Sequence, residues 1–176
     1  STVLGGRALS DDGKPPPHVH EAAFHQSEQA LFAEYQAFAA GALSRGKAVI
    51  GVADAARHHA MIDGLRSRGI DIDRAIKEGR FGMLDTGEVL QPMMVESMPD
   101  ETRFWQGAVR LALGAARASR QDPPAFAAFG DASPSLCRAG NIEAGIRLEQ
   151  LWEEFARTFN VDVLCGYMGR PEECTH

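Results

Sequence analysis

Three acidic residues each lie just past a short apolar run that predicts a buried β-strand: Asp54, Asp85 and Asp131. Because the carboxyl ends of parallel strands meet at one edge of a sheet, we expect these carboxylates on one rim, where ligands of parallel α/β proteins usually bind. Close carboxylates could bind a cation or raise one another's pKa. Alternatively, each caps the helix or turn that follows. Capping suits Asp54 well and Asp131 less, since Ala132-Ser133-Pro134 is not an obvious helix start.

Three histidines near the start of the chain are weak metal candidates: His18, His20 and His25. If residues 18–20 are extended, His18 and His20 point to the same side, which gives a metal pair at H-x-H spacing. A closed site would need further ligands that the sequence does not identify. We therefore favour polar histidines beside a pocket and predict no bound metal.

Two further residues carry reactive groups in apolar surroundings. Glu149 flanks the apolar stripe of the last helix, one turn from Trp152, and reads either as a surface carboxylate or as a pocket acid. Cys165 lies in the middle of a predicted strand, where a thiol usually acts as a small hydrophobic side chain. The chain contains no G-x-S-x-G motif, so nucleophilic catalysis has little support.

The connection after the first inner strand lies where nucleotide-binding proteins bind phosphate, but it lacks the residues that bind phosphate. A phosphate-binding loop needs G-x-x-x-x-G-K-[ST], whose glycines expose backbone N–H groups and whose Lys binds the terminal phosphates. The strand Ala48–Ala53 is instead followed by DAARHHA, with no Gly and no Lys. This argues against conventional ATP hydrolysis.

Composition restricts the remaining classes of function. The chain has 176 residues, is 44% apolar and has a net charge of −6, enough for one domain with a sizeable core and without a basic surface for nucleic acid. We find no membrane-length apolar run and no signal-peptide pattern. Three cysteines without CxxC spacing favour reduced thiols in the cytoplasm.

Strands that are apolar on both faces alternate with amphipathic helices along most of the chain. This pattern predicts a three-layer α/β sandwich with a mainly parallel sheet. Residues 18–168 are expected to form the domain, with an N-terminal arm over 1–17 and a C-terminal linker over 169–176. Segment 18–25 would add an edge strand, and 89–98 would form a short helix or lid. Three polar residues are expected to cap helices: Ser27, Asp100 and Asn141.

Two stretches of the chain resemble a known family. At the start the matching residues are His20, Phe24-His25-Gln26-Ser27-Glu28, Gly41-Ala42-Leu43 and Gly46; toward the end they are Phe129-Gly130-Asp131, Ala139-Gly140-Asn141-Ile142-Glu143-Ala144, Arg147-Leu148-Glu149-Gln150-Leu151-Trp152-Glu153-Glu154 and Leu164-Cys165-Gly166-Tyr167. Together they resemble the MEDS domain, the sensory domain named for methanogens, methylotrophs and the dichloromethane-responsive regulator.

This resemblance implies a RecA-like fold with a degenerate phosphate loop. It also implies sensing of small molecules such as hydrocarbon derivatives, beside histidine kinase, PAS or DNA-binding domains. The chain departs from the family at two places: Gly130-Asp131-Ala132 replaces a common G-E-M, and His25 replaces an aromatic residue.

We therefore expect a cytosolic small-molecule sensory domain that is not an enzyme and needs no cofactor. Its partners would be a small ligand and a linked signalling domain, without nucleic acid or membrane, and a homodimer is compatible with the sequence. The expected ligand-binding residues are His20, Asp54, Asp85, Asp131 and Glu149. Two alternatives stay open: a metal-assisted hydrolase that uses the aspartates and histidines, and a pure dimerisation or interaction domain.

Overall fold

A six-stranded sheet forms the centre of the domain in the computed structural model, which describes residues 2–4, 19–122 and 124–170. The strands of this sheet are β1 (Thr2–Leu4), β2 (His20–His25), β3 (Ala48–Ala53), β4 (Phe81–Asp85), β7 (Phe126–Gly130) and β8 (Asp162–Met168). Their order is β1-β2-β8-β7-β3-β4. The last five are parallel, and β1 pairs antiparallel with β2. A separate hairpin joins β5 (Met94–Val95) to β6 (Met98–Pro99).

In the described ranges, seven α-helices cover the two faces of the sheet. They are α1 (Glu28–Ser44), α2 (His58–Ser67), α3 (Ile72–Lys77), α4 (Thr86–Leu90), α5 (Glu101–Ala118), α6 (Ala132–Arg138) and α7 (Ile142–Phe159). One core holds the inner faces of α1, α2 and α3, and the other holds those of α5, α6 and α7. The three-layer α/β sandwich with a mainly parallel sheet is therefore confirmed.

The inner strands form because their residues can be buried on both sides. All five residues of β7 are buried, and Val49 and Val52 of β3 pack into opposite cores. Such strands read as continuous apolar runs because parallel sheets are covered on both faces. This signal predicts β3 at the residues where it is observed. It predicts three further strands over 80–84, 125–129 and 161–167, each one residue earlier than β4, β7 and β8 are observed.

Side-chain caps fix the starts of the long helices, as expected. The Ala30 amide donates to Ser27 Oγ over 3.2 Å, the Arg103 amide to Asp100 Oδ1 over 2.9 Å, and the Ala144 amide to Asn141 Oδ1 over 3.3 Å. Each bond satisfies an N–H group that the first turn of a helix leaves without a helical partner.

Two segments differ from the expectation. The segment 18–25 contains β2, but β2 is not the edge strand because β1 lies outside it. Segment 89–98 contains the end of α4 and the β5–β6 hairpin up to Met98, rather than one helix or lid. Residues 5–18 and 171–176, which hold most of the expected arm and linker, lie outside the described residues. Within the part that is described, no helix is both long and apolar enough to cross a membrane.

Candidate functional site

The connections after β3 and β7 leave the sheet in opposite directions, which opens a crevice between the carboxyl ends of these neighbouring strands. After β3 the chain enters α2 on one face, and after β7 it enters α6 and α7 on the other. Such a topological switch point is the usual binding place in open α/β sheets. We call it the switch-point crevice. It has a volume of about 250 Å³ and is lined by Glu28, Leu31, Phe32, Tyr35, Ala53, Asp54, Arg57, Asp131, Arg138 and Met168.

Gly130 lets the two strands approach closely at this crevice. Its φ is +156°, and a Cβ there would collide with the Val52 carbonyl oxygen of β3. The Asp131 amide donates to that same oxygen over 3.2 Å. A residue with a side chain would therefore push β7 away from β3 at the mouth of the crevice.

Asp54 and Asp85 act as caps at the rim. The Ala56 amide donates to Asp54 Oδ1 over 3.0 Å. Asp85 accepts from the Ala55 amide over 2.9 Å and from the Glu88 amide over 3.2 Å. These backbone bonds lower the pKa of Asp85. The structure thus places Asp54 in the crevice and Asp85 next to it, holding the loop that follows β3.

Asp131 contacts side chains instead of capping. Thr86 Oγ1 donates to Asp131 Oδ1 over 2.7 Å, and Arg138 Nη2 donates to its Oδ2 over 3.0 Å. Although Ala132-Ser133-Pro134 is not an obvious helix start, α6 begins at Ala132. It begins without a side-chain cap from Asp131. Asp131 therefore holds α4 and α6 together at the crevice.

The hydroxyl of Tyr35 is buried at the base of the crevice. Tyr35 is 1% exposed and lies against Gly166 of β8, where a Cβ would overlap the hydroxyl oxygen. Among the described residues, this hydroxyl has no hydrogen-bond partner. Burial raises the pKa of Tyr35, so the hydroxyl stays protonated.

His20 and Glu149 lie elsewhere, in a polar cluster between the sheet and α7. His20 Nε2 lies 2.9 Å from Glu149 Oε2, and its Nδ1 lies 2.7 Å from Glu153 Oε2. Tyr167 donates its hydroxyl to Glu149 Oε1 over 2.6 Å, and Cys165 Sγ lies 3.7 Å from His20 Nε2. We call these five side chains the α7 cluster.

The α7 cluster favours an imidazolium next to a carboxylate. Burial alone would lower the pKa of His20, but the hydrogen bonds and charges of Glu149 and Glu153 outweigh it, so the pKa is raised. Burial would raise the pKa of Glu149, but its bonds to His20 and Tyr167 lower it. Burial raises the pKa of the Cys165 thiol and of the Tyr167 hydroxyl. Opposite charges at hydrogen-bond distance therefore offset the cost of burial.

His20 and His25, two of the three weak metal candidates, lie on opposite faces of the sheet. His20 and His25 are five residues apart on β2, and successive side chains of a strand point to opposite faces. His25 consequently pairs with Glu34 of α1, whereas His20 faces α7. His18 lies outside the described residues. The histidines of the N-terminal segment thus do not share a metal site within the described part.

A larger, mostly apolar cavity lies between α5 and the end of the sheet that is formed by β3 and β4. It has a volume of about 880 Å³, and its walls include Ile50, Phe81, Leu84, Met93 and Leu111. Leu84 is 37% exposed, and Val109 and Leu113 on α5 are 40% and 57% exposed. This face of the sheet is covered less completely than the rest.

Several residues at the switch-point crevice and in the α7 cluster were not expected from the sequence: Tyr35, Arg57, Thr86, Arg138, Glu153 and Tyr167. Two signals could have found part of the α7 cluster. Glu149 and Glu153 are spaced i, i+4 beside an apolar helical stripe, and His20 alternates with Ala22 and Phe24 on one face of a strand. The contacts themselves depend on how α7 packs on the sheet.

Comparison with known protein families matches residues 19–171 to the MEDS family, described as the methanogen/methylotroph, DcmR sensory domain. No curated protein matches the chain. The family match covers nearly all of the described residues, including the switch-point crevice and the α7 cluster. The chain belongs to the MEDS family of sensory domains.

Proposed function

We propose that this domain senses a small polar molecule in the switch-point crevice and passes its occupancy to a signalling domain in the same protein or in a partner. The observation that carries the proposal is a crevice at the switch point whose walls combine charged groups with apolar side chains. Binding sites for small molecules typically have this composition. Membership of a sensory family supports the role, and the crevice supports this location for the ligand.

The charges of the crevice favour a ligand that donates hydrogen bonds. Arg57 pairs with Glu28, and Arg138 pairs with Asp131 over 3.0 Å. Asp54 is a third carboxylate on the same walls, against two guanidinium groups. The lining therefore carries an excess of negative charge, which suits a small amine or alcohol better than a carboxylate.

The size of the crevice supports a ligand of few atoms. Its volume of about 250 Å³ equals roughly eight water molecules at about 30 Å³ each. Phe32 and Leu31 supply the apolar wall, and Arg57 lies 5.9 Å above the Phe32 ring. A short apolar group would pack there while its donor reaches Asp54.

We infer binding without chemical conversion. Hydrolysis by the rim aspartates would need a carboxylate that activates water or holds a metal. Asp85 accepts two backbone N–H groups, and Asp131 accepts from Thr86 and Arg138. These bonds commit Asp85 to the loop after β3 and Asp131 to α4 and α6, which favours a sensor over a metal-assisted hydrolase.

A thermal-shift screen tests the proposal with short primary amines, alcohols, chlorinated hydrocarbons and carboxylates of matched size. A ligand at 100 times its Kd stabilises the folded state by about 2.7 kcal/mol. For a domain of this size, that corresponds to a rise in Tm of about 5–10 °C. We expect amines or alcohols to raise Tm and carboxylates to leave it unchanged.

Asp54→Asn and Asp71→Asn form a matched pair for this screen. Both residues cap a helix, since Asp71 accepts from the Arg74 amide over 3.2 Å, but only Asp54 lines the crevice. Asn keeps the cap and removes the charge. The Tm rise should disappear in Asp54→Asn and persist in Asp71→Asn. No stabilisation by any compound, or an equal response in both variants, would refute the proposal.

Dimerisation is a second candidate function, favoured by the apolar face of α5. Leu113 is 57% exposed beside the cavity of about 880 Å³. If this face pairs two copies, Leu113→Glu will give a monomer in sedimentation, whereas Ile146→Glu on α7 will not. A wild-type monomer at high concentration would exclude this candidate.

A further inference from the structure

We propose that His20, Glu149 and Cys165 form a binding site for a divalent transition metal of the zinc type. One ligand atom from each lies within 4.8 Å of those of the other two. His20 Nε2 is 2.9 Å from Glu149 Oε2 and 3.7 Å from Cys165 Sγ. Zinc binds imidazole nitrogen and carboxylate oxygen at about 2.0–2.1 Å and thiolate at about 2.3 Å. Neighbouring ligand atoms around such an ion stand at separations close to those observed.

The ligand types select the class of metal. A mixed set of imidazole, carboxylate and thiolate suits zinc and related ions, whereas calcium and magnesium take oxygen ligands. Cys165 comes from β8, Glu149 from α7 and His20 from β2. Three rigid elements thus hold the three donors, which fixes their mutual positions without a loop.

Two of the three ligands are hydrogen-bonded to neighbouring side chains in the way that is usual around a bound metal ion. Metal-bound histidine usually donates its other ring N–H to a carboxylate, and metal-bound carboxylates are themselves hydrogen-bonded. Here Nδ1 of His20 lies 2.7 Å from Glu153 Oε2, and Tyr167 donates to Glu149 Oε1 over 2.6 Å. Glu153 and Tyr167 would therefore orient the two ligands and leave Nε2 and Oε2 for the metal.

Charge balance also favours a divalent ion here. The three ligands are largely buried. Cys165 is 5% exposed, and the side chains of His20 and Glu149 are 10% and 22% exposed. The ion would replace the thiol proton and the proton between Nε2 and Glu149, both of which leave to solvent. A dication, one thiolate, one carboxylate and a neutral imidazole sum to zero, which suits a buried site.

Three protein ligands leave one coordination position of a tetrahedral ion for water or an anion. The Glu153 side chain is 48% exposed and marks the side from which the ion would enter. The site lies on the face of the sheet opposite to α1, and it does not share a residue with the switch-point crevice. It is therefore independent of the proposed small-molecule site.

Cobalt(II) is the probe for this site. The full chain would be treated with a chelator, dialysed and titrated with Co²⁺ under reducing conditions. We expect one equivalent of Co²⁺ to give a thiolate-to-cobalt charge-transfer band together with the visible bands of a four-coordinate ion. Addition of Zn²⁺ should abolish both.

Cys165→Ser and Cys137→Ser are the matched variants. The charge-transfer band should be lost in Cys165→Ser and retained in Cys137→Ser, with both variants folded by circular dichroism. Glu153→Gln should keep the band and weaken Co²⁺ affinity by about 10–100-fold, as outer contacts typically do. Glu143→Gln, on the same helix outside the α7 cluster, should leave the affinity unchanged.

Two results would overturn the proposal. One is a wild-type chain that gives no thiolate band at any Co²⁺ concentration. The other is an equal band in the wild type and in Cys165→Ser. If Cys165→Ser does not fold, His20→Gln decides, because it removes a ligand and keeps the thiol: an affinity equal to that of the wild type contradicts the site.

Discussion

The switch-point crevice and the α7 cluster both contain acidic side chains, but their oxygens have different partners. At the crevice, Asp54 accepts from a backbone amide two residues further along the chain. In the α7 cluster, Glu149 accepts from Tyr167 and pairs with His20 on a distant strand. Asp54 therefore shapes its own loop, whereas the α7 cluster joins β2, β8 and α7. An acidic residue just past a strand is therefore weaker evidence for chemistry than a carboxylate between a helix and the sheet.

Glu149→Gln gives the largest expected effect, since it removes the more buried of the two carboxylates that pair with the His20 imidazolium. Breaking one partner of a buried ion pair costs about 3 kcal/mol or more. We expect a loss of about 3 kcal/mol in the free energy of unfolding, measured by urea denaturation of the chelator-treated protein. Glu154→Gln on the same helix is the control and should stay within about 0.5 kcal/mol of wild type. Equal losses in both variants would remove the distinction between the cluster and an ordinary helix surface.

Gly130→Ala tests the crevice without changing any charge. A Cβ at this position meets the Val52 carbonyl oxygen and forces a strained φ, so we expect a loss of about 2 kcal/mol. Gly140→Ala is the comparison, because its φ is +84° but no atom lies within 4 Å of the added Cβ. It should cost about 1 kcal/mol. If urea denaturation gives the same loss for both, close approach of β7 to β3 does not matter for stability.

Asp54→Ala measures what the cap alone contributes. Loss of a side-chain cap costs about 1 kcal/mol, and Asn substitutes for Asp in this role. We therefore expect Asp54→Ala to lose about 1 kcal/mol and Asp54→Asn a few tenths. A large loss in Asp54→Asn would mean that the charge, rather than the cap, stabilises the crevice. The carboxylates of the switch-point crevice and of the α7 cluster would then both stabilise the fold through their charge.

Glu78 lies in an exposed cluster of charged side chains, and its replacement is expected to have the smallest effect on the free energy of unfolding. Its pKa is lowered to about 2, first by the hydrogen bond from Arg80 and then by that from Arg74. A lowered pKa contributes stability above the unfolded value of 4.5, and this contribution is lost as the pH falls toward 2. The difference between wild type and Glu78→Gln in urea denaturation should thus be largest at neutral pH and shrink by pH 3. A difference that grows on acidification would contradict this assignment.

The fold was predictable because its signals are local. The apolar run Ala48–Ala53 is itself β3, and Ser27, Asp100 and Asn141 cap helices through contacts three residues away. The cap at Asp54 spans two residues, and Asp85 accepts from the Glu88 amide three residues away, although it also accepts from the distant Ala55 amide. Strand type, helix starts and the edge at which strands end therefore follow from a few neighbouring residues.

The α7 cluster could not be assembled from the sequence because its contacts depend on packing. His20 and Glu153 are 133 positions apart, and they meet only when β2 pairs with β8 in one register. A shift of one residue would turn His20 to the opposite face. His20 and Glu149 could be selected individually, but their mutual contact, and that with Cys165, depends on this register.

The position of β8 in the sheet has a consequence for synthesis of the chain. Of the strands in the described residues, β8 is made last, yet it lies between β2 and β7, and His20 pairs with Val163. At about 5–20 residues per second, β2 leaves the peptidyl-transferase centre roughly 7–30 s before its parallel partner. During that interval the edge of β2 that will receive β8 can pair with other chains, which is a hazard for any open strand. The ribosome must therefore deliver nearly the whole domain before its first parallel strand is protected.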